Sequence, residues 1–146
     1  MDRVAKQLRT SHVWHEARSF GYVIHGMGYI DPAEAARASR ELKRLVMKEG
    51  RPTFGLLFDL RRQPVQPPGT TAIAQEMMHW TTAHGAHRTA VVGDSAVQLL
   101  QAKRMAAECG IEKGVRYLDV RHTVDWERAA IAWIEHGVEP GADDGP

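Results

Sequence analysis

Eight histidines, one cysteine and a few hydroxyl side chains at helix starts are the groups in this 146-residue chain whose chemistry could amount to a function. Imidazoles hold a metal only where the backbone brings them to one point. His79 and His84 are five apart and miss the i, i+4 spacing that puts two ligands on one helical face. His12 and His15, three apart on an expected strand, point to opposite sides of it. No H-E-x-x-H pattern and no cysteine-rich set accompanies them, so neither a metal nor a cofactor is expected. Cys109 falls at an expected helix C-terminus, where the dipole disfavours a thiolate. The run Gly93, Asp94, Ser95 lacks the G-x-S-x-G pattern of an activated serine, and Asp94 reads as a helix cap. The glycines of GYVIHGMG do not spell G-x-G-x-x-G, and there is no Walker pattern. The chain is expected to be non-enzymatic.

Two groups of residues survive this filter. A phosphate on Thr70 or Thr71 would meet the free N–H groups of a helix N-terminus, with Arg61 and Arg62 on the preceding loop. The plainer reading of either threonine is a helix cap. The second group is apolar: Ile73, Met77 and Trp80 form a stripe on the helix that follows, and the adjacent Met77 and Met78 are not expected both to face inward. Methionine and tryptophan are common on adaptable binding surfaces, while core packing explains the same stripe without any ligand. A surface for a protein partner or a second copy of the chain, as a homodimer, is one alternative. A pocket for a small apolar, lipid-like ligand, lined by Ile73, Met77, Trp80 and Met105, is the other.

Composition bounds both. Nineteen Lys and Arg against eighteen Asp and Glu leave a net charge of +1, which disfavours nucleic acid as a partner. Hydrophobic residues at 43% and charged residues at 25% are a globular balance. No apolar run approaches the roughly 18 residues of a membrane span, and MDRVAKQLRTSH lacks a signal peptide's apolar centre. A single soluble, cytoplasmic domain is expected.

Turn and cap residues divide that domain. A flexible leader over 1–11 precedes two short strands, HVWHEARS and YVIHGMGYI, joined as a hairpin. Gly26 and Gly28 inside the second strand point to a bulge or a close backbone approach. Asp31, Pro32 and Glu34 start a helix that Gly50 stops. TFGLLFDL is a strand covered on both faces. The proline-rich RRQPVQPPGTT is irregular, and a second helix runs from Thr70 or Thr71 to Gly85. RTAVVGD is a strand, Ser95 to Cys109 a third helix, VRYLDV a fifth strand, and Thr123 caps a fourth helix. A flexible tail follows over 138–146. The order β-β-α-β-α-β-α-β-α over 12–137 predicts an α/β fold: a five-stranded, mostly parallel sheet with a β-hairpin at the start and four helices.

That order resembles the STAS superfamily, and more closely the bacterial SpoIIAA-like, or STAS/SEC14-like, single-domain proteins. The resemblance rests on YVIHGMGYIDPAEA, LLFDLRR, RTAVVGDSAVQLL and VRYLDVRHTVDWERAAIAWI in sequence. It implies a regulatory, protein-interacting domain. In the anti-anti-sigma branch a partner kinase phosphorylates the serine of an Asp-Ser pair at the second helix. This chain has PPGTTAIA there, so only Thr70 and Thr71 stand near that position. The expected contact surface is the loop from Asp59 to Thr71, including Arg61 and Arg62, with the start of the second helix.

Overall fold

Residues 12–141 are described in a computed structural model. The leader expected over 1–11, and residues 142–146 of the expected tail, lie outside them. The elements are β1 (His12–Arg18), β2 (Gly21–Met27), α1 (Pro32–Glu49), β3 (Phe54–Asp59), α2 (Pro68–Ala83), β4 (Ala86–Gly93), α3 (Ala96–Cys109), a 3-10 turn (Glu112–Gly114), β5 (Val115–Asp119) and α4 (Trp126–His136). They form one five-stranded sheet in the order β1-β2-β3-β4-β5. β1 and β2 pair antiparallel, and the other three pairs are parallel.

The layering follows from handedness. Three successive right-handed crossovers stepping the same way across a sheet place their helices on one face. Accordingly Leu42 and Val46 of α1 and Met77 of α2 pack with Tyr22, Ile24 and Leu56. Ala102 and Ala106 of α3 pack with Val91 and Val115 on that same face. The alternate strand residues Val23, Leu57, Val92 and Leu118 face the other way, onto Ala130, Trp133 and Ile134 of α4. One face thus carries three helices and the other a single helix.

Element ends depart from expectation in three places. Helix α2 begins at Pro68 rather than Thr70 or Thr71, because proline suits the first helical position and the Pro67 carbonyl accepts from both Thr70 N and Thr71 N at 3.1 Å. Ser95, not Asp94, caps α3, its side chain accepting from Gln98 N. Helix α4 starts after Asp125 with no side-chain cap, so Thr123 does not cap it. Asp31 caps α1 as expected, accepting from Glu34 N at 2.8 Å.

The β1–β2 register runs unbroken, so Gly26 marks a close approach and not a bulge. A Cβ there would lie 2.5 Å from Gln63 Nε2, in the loop that crosses the end of β2.

Edge strand β1 is fastened to α1. Glu34 Oε2 accepts from Val13 N at 2.9 Å, and Arg37 Nη2 donates to Val13 O at 2.7 Å, so an ion pair on the helix satisfies an outward backbone pair of the edge. Hydrogen bonds from Arg37 hold the Glu34 carboxyl down at about 2.

Candidate functional site

Small residues on α1 and α3 leave space under α2. Ala38 and Ala102 face the sheet where a larger side chain would reach across, and a cavity of about 150 Å³ lies between α1, α2, α3 and the sheet. Ile24, Leu56 and Val91 are among its sheet-side lining, and Ile73, Met77 and Met78 line it from α2. Of the apolar residues singled out in the sequence, Ile73, Met77, Met78 and Met105 all line it. Both adjacent methionines do so, contrary to expectation, because the cavity extends from α1 to α3 and spans a broad arc of α2. Trp80 is the exception. Its ring stacks on His84 at 3.8 Å, beneath Lys43 Nζ at 5.8 Å, and it is not part of the lining.

The loop before α2 walls one end of this space and is held by glutamines that sequence reasoning did not single out. Gln66 donates to Gly28 O at 2.9 Å and accepts from Ile30 N at 2.8 Å, while Gln101 accepts from Gln66 N and donates to Gln66 O, both at 3.0 Å. Gln98 donates to Leu60 O at 2.8 Å and to Gln63 O, and accepts from Asp94 N at 3.0 Å. Apart from the Asp94–Gln98 contact, their amides bridge backbone groups 35 to 38 residues away in sequence, separations that no local spacing announces.

The residues proposed as one contact surface are divided by the sheet. Thr70 and Thr71 line the cavity. Thr70 is 5% exposed and its hydroxyl donates to Ile30 O, so a phosphate has no room there in this conformation. Thr71 donates to Pro68 O at 3.0 Å nearer the surface. Asp59 and Arg61 instead face the α4 side. Arg61 grips Asp59 with two bonds of 2.9 and 3.0 Å and lies 4.5 Å over the Trp126 ring. Burial opposes ionisation of Asp59, but hydrogen bonds from Arg61 and His25 outweigh it and hold the carboxyl below its usual value. His25 also reaches Glu16 at 3.1 Å, completing a charged cluster around a small cleft of about 70 Å³. Arg62 is exposed on the loop between the two halves.

Two cavity-lining polar atoms have no hydrogen-bond partner within the protein: His15 Nε2 and Ser39 Oγ. Neither residue was credited with a role in this region from sequence. Among the described residues no three His, Cys, Asp or Glu side chains converge as metal ligands would. None of the helices among them is long and apolar enough to cross a membrane.

No protein-family model matches the chain, and no curated protein matches it. Among solved structures it is similar to an uncharacterized protein of the DUF3478 family from Shewanella loihica PV-4, described as having a SpoIIAA-like fold. The two superpose with a TM-score of 0.59 at 13% sequence identity, over 84% of this chain and 91% of that one. The fold is therefore SpoIIAA-like, with the five-stranded, mostly parallel α/β architecture expected from the sequence.

Proposed function

We propose that this chain is a non-enzymatic STAS-type domain that holds a small apolar molecule beneath α2 and, through the loop that walls the cavity, carries that occupancy to a protein partner. The observation that supports it is the cavity itself. Interiors are close-packed, and natural domains rarely keep a methyl-lined space of this size without use. An engineered cavity of about 150 Å³ in another protein binds benzene, and the space here is the same size. The second half of the reading rests on position: Gln63, Gln66, Thr70 and Thr71 belong both to the cavity wall and to the segment where the resemblance places the regulatory contact. Arg62 on the loop and Thr71 in the first turn of α2 are the side chains best placed to meet a partner.

Toluene tests the first half. Titration is expected to shift the methyl resonances of Met77, Met78 and Met105 while leaving those of Met27 and Met47, which lie outside the lining, unmoved. Uniform small shifts, or none, would reject the cavity as a receptor. Hydrogen exchange tests the second: toluene should slow exchange across residues 61–71, and unchanged exchange there would separate the cavity from any regulatory role.

A further inference from the structure

The polar atoms of the cavity fall into two sets. Gln66, Gln98 and Gln101 at the loop end use their amides to hold backbone groups, as described above, and the Gln63 amide donates to Asp59 O at 3.4 Å. At the β1–α1 side, Ser39 Oγ and His15 Nε2 are buried and unpaired. Ser39 is 5% exposed, and its hydroxyl does not bond back to a carbonyl of its own helix, the usual refuge of a buried helical serine. The His15 side chain is 2% exposed, and its Nδ1 lies 3.3 Å from Glu41 Oε1. The carboxylate only accepts, so Nδ1 carries the proton and donates to it, and in the neutral ring Nε2 is left as a bare acceptor. Burial pushes the His15 pKa below its ordinary value and keeps the ring neutral, outweighing the pull of Glu41; Arg37 and His25 act in the same direction as burial.

Unpaired buried groups of this kind are uncommon and unfavourable unless something completes them. The complement is chemically narrow. Nε2 needs a donor, and a serine hydroxyl is best served by a group that can also accept. None of the described residues lining the cavity is an Asp, Glu, Lys or Arg, so an ionised head would be buried with no counter-charge. A hydroxyl and an un-ionised carboxyl are groups that donate and accept while staying neutral.

Resting on the receptor reading above, we infer that the occupant is a short amphiphile: an apolar body of about six to eight non-hydrogen atoms, sized to the cavity, ending in a hydroxyl or un-ionised carboxyl group directed at His15 Nε2 and Ser39 Oγ. The body lies against Ile73, Met77 and Met105. The edge-strand clamp of Glu34 and Arg37 on Val13 fixes the strand that carries His15, so the polar end of the site is set before the ligand arrives.

A pair of isomers isolates the hydrogen bond. 1-Hexanol and methyl pentyl ether have the same atoms and nearly the same length, and only the alcohol can donate. Calorimetric titration of the wild-type protein is expected to give a dissociation constant about tenfold lower for the alcohol, since a site built to bond a hydroxyl rejects the analogue lacking its proton. In Ser39→Ala and in His15→Phe the ratio should fall to within about twofold, with ether affinity retained as evidence that each variant is folded. Equal affinity of the isomers in the wild type would overturn the inference and show that water serves the two atoms, leaving the receptor reading intact. Failure of both isomers and of toluene to bind would overturn the receptor reading together with it.

Discussion

Replacing Ser39 with alanine is expected to stabilise the ligand-free protein while spoiling its selectivity. The hydroxyl is buried on the inner face of α1 without a partner, and an unsatisfied buried polar group costs about 1–3 kcal/mol. Alanine in a helix interior adds about 0.5 kcal/mol over serine. The loss of one oxygen's dispersion contacts offsets part of this, about 0.5 kcal/mol. The net expectation is a gain of about 1–3 kcal/mol, or roughly 3–9 °C in melting temperature for a chain of this length. Urea denaturation with an unchanged m-value is the assay, since a changed slope would mean an altered denatured or native state. A variant no more stable than the wild type would refute the reasoning, because the hydroxyl would then have a partner whose loss offsets the relief. A gain in stability coupled to a loss of hexanol preference is the signature of a group kept for binding.

The other expectations concern the cavity, the edge clamp and the opposite face. Ala102→Leu adds three carbons to a space whose disuse costs about 3.6 kcal/mol at ~24 cal/mol per Å³. After repacking strain it should gain about 1 kcal/mol and abolish toluene binding; retained binding would place the ligand elsewhere. Glu34→Gln should cost about 2 kcal/mol at pH 7, discounted for the partly exposed Arg37. The Glu34 carboxyl titrates at about 2 in the fold against 4.5 when free, so its contribution is full above the free value and is lost as pH falls through the folded one. Melting temperatures of wild type and variant should therefore converge between pH 4.5 and 2, and a constant gap would dismiss the ion pair. Arg61→Ala leaves the buried Asp59 with only His25 and the backbone N–H of residue 61 as partners and should cost about 2–3 kcal/mol. Adding Asp59→Asn should recover part of that, and toluene binding should be unaffected, because these residues face α4.

The punctuation of the fold was legible before any coordinates. Asp31-Pro32 and Gly50 bracket α1, and Gly110 ends α3 in a left-handed cap, because a proline or a left-handed turn is a local constraint that leaves a local mark. The candidate site was legible only in part. Ile73, Met77, Met78 and Met105 stand out for their size, and they do line the cavity. Trp80 stands out equally, yet its ring packs against the core cluster around Leu42 and Phe54 and stacks on His84, away from the cavity. Asp59 and Arg61 sit ten residues or so from Thr70 and read as one surface. The alternation of β3 turns Asp59 to the α4 face, however, and Arg61 follows it. Ser39 and His15 were illegible for a different reason. A serine beside an alanine on a helix, or a histidine alternating with valine on an edge strand, is unremarkable until its partners are counted, and those come from elements far apart in the chain.

Xenon binding tests the central claim most directly, since an apolar cavity takes up the gas with no requirement for head-group chemistry. Crystals pressurised with xenon should show one strong anomalous peak between the sheet and α1–α3, bounded by Ile73, Met77 and Ala102. A peak only in the cleft beside Arg61 and Trp126, or no ordered xenon in the protein, would contradict the account.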